Sequence, residues 1–218
     1  MERTVENTVK ALRRLEVHNP DLIEIRFDLI EPFSSISEIR EATDRRIIAT
    51  NRLKNEGGFF AGSERERLWT LRHAALESFD YVDIELKTKD LNTMVRQVKR
   101  HGSNAIVSYH NSSLTPSQNV LQSILRQEKR AGANICKIVC TARTRGDNLR
   151  CLTFVNAHAH RTKLVCFAMG KLGRPSRILS PLFGADFTFA SLDSHTATAK
   201  GQLSIDNVRN VWGLLEVH

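Results

Sequence analysis

The sequence predicts an α/β fold, a parallel (β/α)8 TIM-type barrel whose first strand is missing or truncated. Two observations predict it. Short apolar, β-branched runs alternate with amphipathic helical stretches along the chain, the pattern of repeated strand and helix units around a parallel sheet. The length of 218 residues, with 41% hydrophobic and 26% charged content, suits one domain over residues 1–218 that such a barrel fills.

Taken in order, a helix is expected over residues 4–17, followed by a strand at Leu22–Phe27, a helix at 35–42 and a strand at Arg46–Thr50. A helix at 63–78 leads to a strand at Tyr81–Leu86, and a helix at 90–101 to a strand at Ala105–Tyr109. The pattern continues with a helix at 117–131, a strand at Ile135–Cys140, a helix at 145–160 and a strand at Lys163–Ala168. A helix at 175–183, a strand at Asp186–Ala190 and a closing helix at 204–215 complete it. Thr115-Pro116-Ser117 and Asp147 read as helix starts, Gly102 and Gly132 as helix ends. Eight helices and seven strands leave a closed barrel one strand short, and that strand would precede the first helix.

Composition limits the function classes. No run of about 18 uncharged apolar residues exists and the first thirty residues carry charges throughout, so a soluble, cytoplasmic protein with no membrane partner is expected. The cysteines at 136, 140, 151 and 166 read as reduced core thiols, because three of them sit in strongly apolar runs. Cys136 and Cys140 stand roughly 13 Å apart if extended along a strand, too far for one tetrahedral zinc, and no metal is expected. The net charge of +8 raises nucleic acid as a partner, but the cations are scattered and interleaved with acids, as in Glu64-Arg65-Glu66-Arg67, which reads as a solvated surface. Aromatic residues make up only 6% of the chain, which disfavours a nucleic-acid module. A basic rim also draws in a small anionic substrate.

The strands carry charges where a core should be. Ile23, Ile25 and Phe27 share one face and Glu24, Arg26 and Asp28 the other, and Asp83 and Glu85 oppose Val82, Ile84 and Leu86 in the same way. Strands of parallel sheets are usually covered on both faces, so such charges must pair with one another or with a ligand. Lys137 stands in Ile135-Cys136-Lys137-Ile138-Val139-Cys140, among the most apolar strands of the chain. Desolvation and neighbouring cations there would favour the free amine, which can attack a carbonyl and form an imine. His110 ends the preceding strand, where barrel enzymes keep their active sites, and adjacent strands lie about 4.8 Å apart. A base thus stands beside a nucleophile. Thr50-Asn51-Arg52-Leu53-Lys54-Asn55-Glu56-Gly57-Gly58 combines a cation, a carboxylate and a glycine pair. The glycine-rich stretch from Met169 to Arg177 ends in an arginine near a helix start, suited to an anion.

Together these segments, from about residue 20 to 205, resemble the type I 3-dehydroquinate dehydratases. Glu24-Ile25-Arg26-Phe27-Asp28 resembles that family's strand motif, Arg52 to Glu56-Gly57-Gly58 its arginine and Glu-Gly-Gly loop, and Ser108-Tyr109-His110-Asn111 its histidine segment. Lys137 falls where the imine-forming lysine is expected. Met169-Gly170 with Gly173, Ser176 and Arg177 is similar to the substrate loop, and Gly201-Gln202 to the end of the last binding loop. In Thr198-Ala199-Lys200-Gly201-Gln202 the family usually has serine at the first place and proline at the third.

The resemblance implies dehydration of 3-dehydroquinate to 3-dehydroshikimate, the third step of the shikimate pathway, with no cofactor. Lys137 and His110 would be catalytic, and Glu24, Arg26, Arg52, Arg177, Thr198 and Gln202 would bind substrate. Glu56, Asp83 and Met169 would support them, in a protein that forms a homodimer. The alternatives are another Schiff-base barrel, such as a class I aldolase or transaldolase acting on a sugar phosphate, and a basic nucleic-acid-binding module.

Overall fold

A computed structural model describes residues 4–30, 35–193, 198, 199 and 201–215. The elements in order are α1 Val5–Glu16, β1 Leu22–Arg26, α2 Ile36–Glu41, β2 Arg46–Thr50, α3 Glu64–Leu76, β3 Tyr81–Glu85 and α4 Leu91–Arg100. There follow β4 Asn104–His110, α5 Gln118–Arg130, β5 Ile135–Thr141, α6 Gly146–His158, β6 Leu164–Met169, α7 Arg174–Leu179 and α8 Ile205–Leu214. The strands lie in chain order in one sheet, and the β1–β2, β2–β3 and β5–β6 pairs are parallel. Among the described residues no helix is long and apolar enough to cross a membrane.

The chain groups into two compact units. Of the described residues, one unit, here the N-terminal unit, takes those up to Val107 with Arg130–Asn134; the other, the C-terminal unit, takes Ser108–Lys129 and those from Ile135 onward.

In the N-terminal unit the expected alternation holds. Ile23, Ile25, Ile47, Ala49, Val82 and Ile84 bury one face against a core that includes Leu12 of α1, Ile39 of α2, Leu71 and Ala74 of α3, and Val95 of α4. Each large aliphatic side chain so buried contributes roughly 1.5–3 kcal/mol. Strand β1 stops one residue earlier than expected, because Phe27–Leu29 forms a 3-10 turn. Ser63 and Glu66 close α3 at its start with a capping box, each side chain bonding the other's backbone N–H.

The C-terminal unit is built on β5 and β6, whose apolar runs are buried on both faces, with Cys151, Leu152, Phe154 and Val155 of α6 packed in the interior. All four cysteines are buried and free. Burial pushes up the thiol pKa values of Cys136 and Cys140, which keeps both as neutral thiols. Asp147 lies in the first turn of α6, where its carboxylate accepts the backbone N–H groups of Arg143 and Thr144 at 2.8 Å each.

One expected strand is absent. Asp186–Ala190 is irregular, tied to β6 by a single bond from the Asp186 N–H to the Leu164 carbonyl at 2.9 Å. The Thr188 hydroxyl turns instead to the Arg177 carbonyl at 2.7 Å, so the segment spends its hydrogen bonds on α7 rather than on a ladder.

Candidate active site

In the N-terminal unit the charged faces of β1, β2 and β3 come into register. Arg26 stands opposite Thr50, and Thr50 opposite Asp83. Residues paired in this way point to the same face, so one row carries a guanidinium, a hydroxyl and a carboxylate. The Thr50 hydroxyl donates to Glu24 Oε1 at 2.9 Å. Arg26 holds Asp28 with two parallel bonds, Nε to Oδ1 at 2.8 Å and Nη2 to Oδ2 at 2.6 Å. Burial works against the Arg26 charge, but Asp28 outweighs it and raises the guanidinium pKa.

Arg52, just past the end of β2, is 4% exposed. Its Nη2 meets Asp83 Oδ2 at 2.8 Å and its Nη1 meets Glu85 Oε1 at 3.3 Å. Desolvation opposes its charge, and Asp83, Glu85 and Glu24 overcome the penalty and raise its pKa. Glu56 is buried in the following turn, and burial, followed by the neighbouring charge of Glu85, pushes its pKa up to about 7. Gly58 is required here by space: a Cβ would run into the carbonyl of Arg52, which accepts the Phe60 N–H at 3.1 Å. Asp28 latches the same loop by accepting the Phe59 N–H at 3.0 Å. The structure thus brings Glu24, Arg26, Arg52, Glu56 and Asp83 together in this unit.

Two residues of the cluster are additions to the sequence reading. Glu85 was legible as a charge on the Asp83 face, but not as the carboxylate that holds Arg52. Arg67 corrects the reading of Glu64-Arg65-Glu66-Arg67 as a solvated face: it is 0% exposed and lies against Glu64, Glu85 and Thr88.

In the C-terminal unit Lys137 is 4% exposed. The Asn111 N–H donates to the Val139 carbonyl at 2.9 Å, a parallel register that sets His110 opposite Val139. Residues two apart share a face, so His110, Lys137 and Val139 project to the same side. Across to β6, Lys137 pairs with Val165, Val139 with Phe167 and Thr141 with Met169, which places Met169 on that face as well. The Lys137 Nζ sits 4.3 Å from the centre of the Phe189 ring.

Arg177 is 2% exposed and belongs to the body of α7 rather than to its start. Its guanidinium carbon lies 4.3 Å from the centre of the Phe167 ring, and Phe167 and Phe189 are 6.3 Å apart, centre to centre. Lysine, two aromatic rings and arginine therefore form a continuous row, and neither ring was singled out from the sequence. An apolar residue in a strand gives no signal of which polar group will lie on its face. Gln202 Oε1 accepts the Thr198 N–H at 2.9 Å and the Ala199 N–H at 3.3 Å, which closes the last loop on itself. Gly201, at φ +79°, packs that loop on Gly170, whose carbonyl a Cβ would strike. Of the two departures in this loop, Thr198 is described and Lys200 lies outside the described residues.

A parallel sheet of strand and helix units with a buried strand lysine and a histidine on the same face defines an enzyme of the TIM-barrel class that can work through an amine. The profile of the family described as Type I 3-dehydroquinase matches residues 1–218. The chain is 35% identical to a 3-dehydroquinate dehydratase of Thermococcus gammatolerans, over 96% of this chain and 95% of the relative. It is 31% identical to one from Methanosarcina barkeri, over 97% and 92% of the two chains. Among solved structures, the 3-dehydroquinate dehydratase of Geobacillus kaustophilus superposes with a TM-score of 0.89 at 26% identity, covering 97% of this chain and 86% of that one. That of Aquifex aeolicus gives a TM-score of 0.82 at 27% identity, covering 97% and 95%. The chain belongs to the type I 3-dehydroquinase family. Membership selects the dehydratase reading over the aldolase and nucleic-acid readings.

Proposed function

We propose that this single catalytic domain dehydrates 3-dehydroquinate to 3-dehydroshikimate through an imine on Lys137, with His110 as the acid and base. The observation that carries the assignment of residues is Lys137 itself, a lysine 4% exposed between the apolar residues of Ile135–Cys140, on one face with His110. Its amine condenses with the C3 ketone and water leaves. The iminium draws electrons from the neighbouring carbon and acidifies the C2 proton, which His110 removes. His110 then protonates the departing C1 hydroxyl, so a second water is lost and the C1–C2 double bond forms. Water returns across the imine to release the enone and restore the amine.

Arg177 holds the substrate carboxylate, a role that suits a cation fixed on an aromatic face. Met169 lines the face beside Lys137, and Thr198 and Gln202 close over the ligand. Glu24, Arg26 and Arg52 bind hydroxyls or order neighbouring charges, with Glu56 and Asp83 in support. The reading needs no cofactor, and it includes a cytoplasmic homodimer; a solution mass of one 24.7 kDa chain would remove the dimer from it.

The test is incubation with 3-dehydroquinate, with the conjugated enone followed by ultraviolet absorbance, then borohydride reduction and intact mass. Absorbance together with a ligand-sized mass increase on Lys137 is expected, and Lys137→Ala should abolish both. Turnover by Lys137→Ala would discard the imine.

A further inference from the structure

The guanidinium of Arg67 reaches both sides of Arg52. Its Nη1 lies 3.4 Å from the carbonyl of Asn51, the residue before Arg52. The same Nη1 lies 3.4 Å from Glu85 Oε2. The other oxygen of that carboxylate, Oε1, accepts the Leu53 N–H at 3.0 Å, on the residue after Arg52, and meets Arg52 Nη1 at 3.3 Å. Arg67 is itself fixed from the opposite side. Glu64 takes its Nε and Nη2 at 2.7 and 2.8 Å, and Thr88 Oγ1 accepts from Nη2 at 2.9 Å.

We propose that Arg67 is a positioning residue for substrate binding, which acts through Glu85 and the Asn51–Leu53 backbone to hold Arg52 in its binding orientation. The inference rests on the reading of Arg52 as a substrate-binding residue. Glu85 carries one charge and two arginines, and Arg52 divides its fork between Glu85 and Asp83. Without Arg67, the whole charge of Glu85 falls to Arg52, and the guanidinium, which lies closer to Asp83 at 2.8 Å than to Glu85 at 3.3 Å, is drawn toward Glu85. The Asn51 carbonyl before Arg52 loses its donor in the same step, and Glu85, which takes the Leu53 N–H after Arg52, loses the second arginine that holds it. A planar five-donor head is needed for this geometry, and lysine supplies the charge but only one point of contact.

The experiment measures kcat and KM for 3-dehydroquinate in Arg67→Met, Arg67→Lys, Arg52→Gln and the Arg52→Gln/Arg67→Met double variant, with the melting temperature of each. Arg67→Met should raise KM about tenfold with kcat within about twofold, the signature of lost binding common to ground and transition states. Arg67→Lys should raise KM about threefold, less than Arg67→Met, because lysine restores the charge without the fork. Because Arg67 acts through Arg52, the double variant should show the KM of Arg52→Gln alone. Unchanged KM in Arg67→Met beside a raised KM in Arg52→Gln overturns the proposal, since a merely structural arginine lowers melting temperature and active fraction without moving KM. Multiplying effects in the double variant overturn it too. Unchanged KM in Arg52→Gln overturns it at its foundation, the role of Arg52. If Arg67→Met does not fold, Arg67→Lys decides: a KM raised about threefold supports the proposal and an unchanged KM overturns it.

Discussion

Glu56 is a carboxyl whose surroundings hold its proton. Burial disfavours the anion and Glu85 adds a like charge nearby, so the pKa rises from the ordinary 4.5 to about 7. Between those values the folded protein keeps a proton that the unfolded chain has released. Stability therefore falls as pH rises through that window and levels off above it. Glu56→Gln cannot ionise and should flatten the slope. Relative to the parent it should gain about 1–2 kcal/mol between about pH 4 and pH 8, a figure already reduced for solvent screening. Urea unfolding of both proteins at the two pH values measures it, and parallel stability profiles would show that Glu56 ionises as freely as an exposed acid. The sequence announced Glu56 as a member of the loop, but not its raised pKa. That shift comes first from burial and then from Glu85, 29 residues along the chain and brought close by the parallel pairing of β2 with β3.

At the scale of elements, the period of a strand was the most informative signal. Alternation in Glu24-Ile25-Arg26 and Asp83-Ile84-Glu85 identified which side chains meet in the charged row, because parallel register keeps like faces together. The Asp186–Ala190 run misled, since an apolar stretch is equally apolar whether or not its backbone finds a ladder. The quartet at the start of α3 misled for a different reason. Charges at every position read as surface, yet Arg67 shares the inward stripe of the helix with Thr70, Leu71 and Ala74, all buried at three- and four-residue spacing. The end of β1 offers a test of how turns and loops are coupled. Asp28 joins the 3-10 turn after β1 to the loop after β2 through Arg26 on one side and the Phe59 N–H on the other. Asp28→Ala leaves Arg26 without its paired carboxylate, and removal of one partner of a buried pair costs on the order of 3 kcal/mol. We expect that loss in denaturant unfolding, along with faster cleavage by a protease near Phe59. A variant as stable as the parent would mean that Arg26 is satisfied by other groups.

For the whole molecule, the order of helices and strands was legible almost throughout, because each unit of the fold repeats the same switch from period two to period 3.6. The use of the net charge of +8 was not legible in the same way, since scattered cations read equally as solubility or as attraction for a partner. The proposed ligand is a small carboxylate, so the charge should act on capture rather than on chemistry. The field of the protein reaches about 30 Å at 0.01 M salt and about 3 Å at 1 M. Between about 0.01 M and 0.5 M salt, kcat/KM for 3-dehydroquinate should therefore fall about threefold or more while kcat stays within about twofold. Anions that compete for Arg177 would also raise KM, but their effect follows the identity of the anion. Screening follows ionic strength alone, so chloride and sulfate at matched ionic strength should give the same curve. A kcat/KM indifferent to salt would assign the surplus of cations to solubility and leave capture to the arginines of the site.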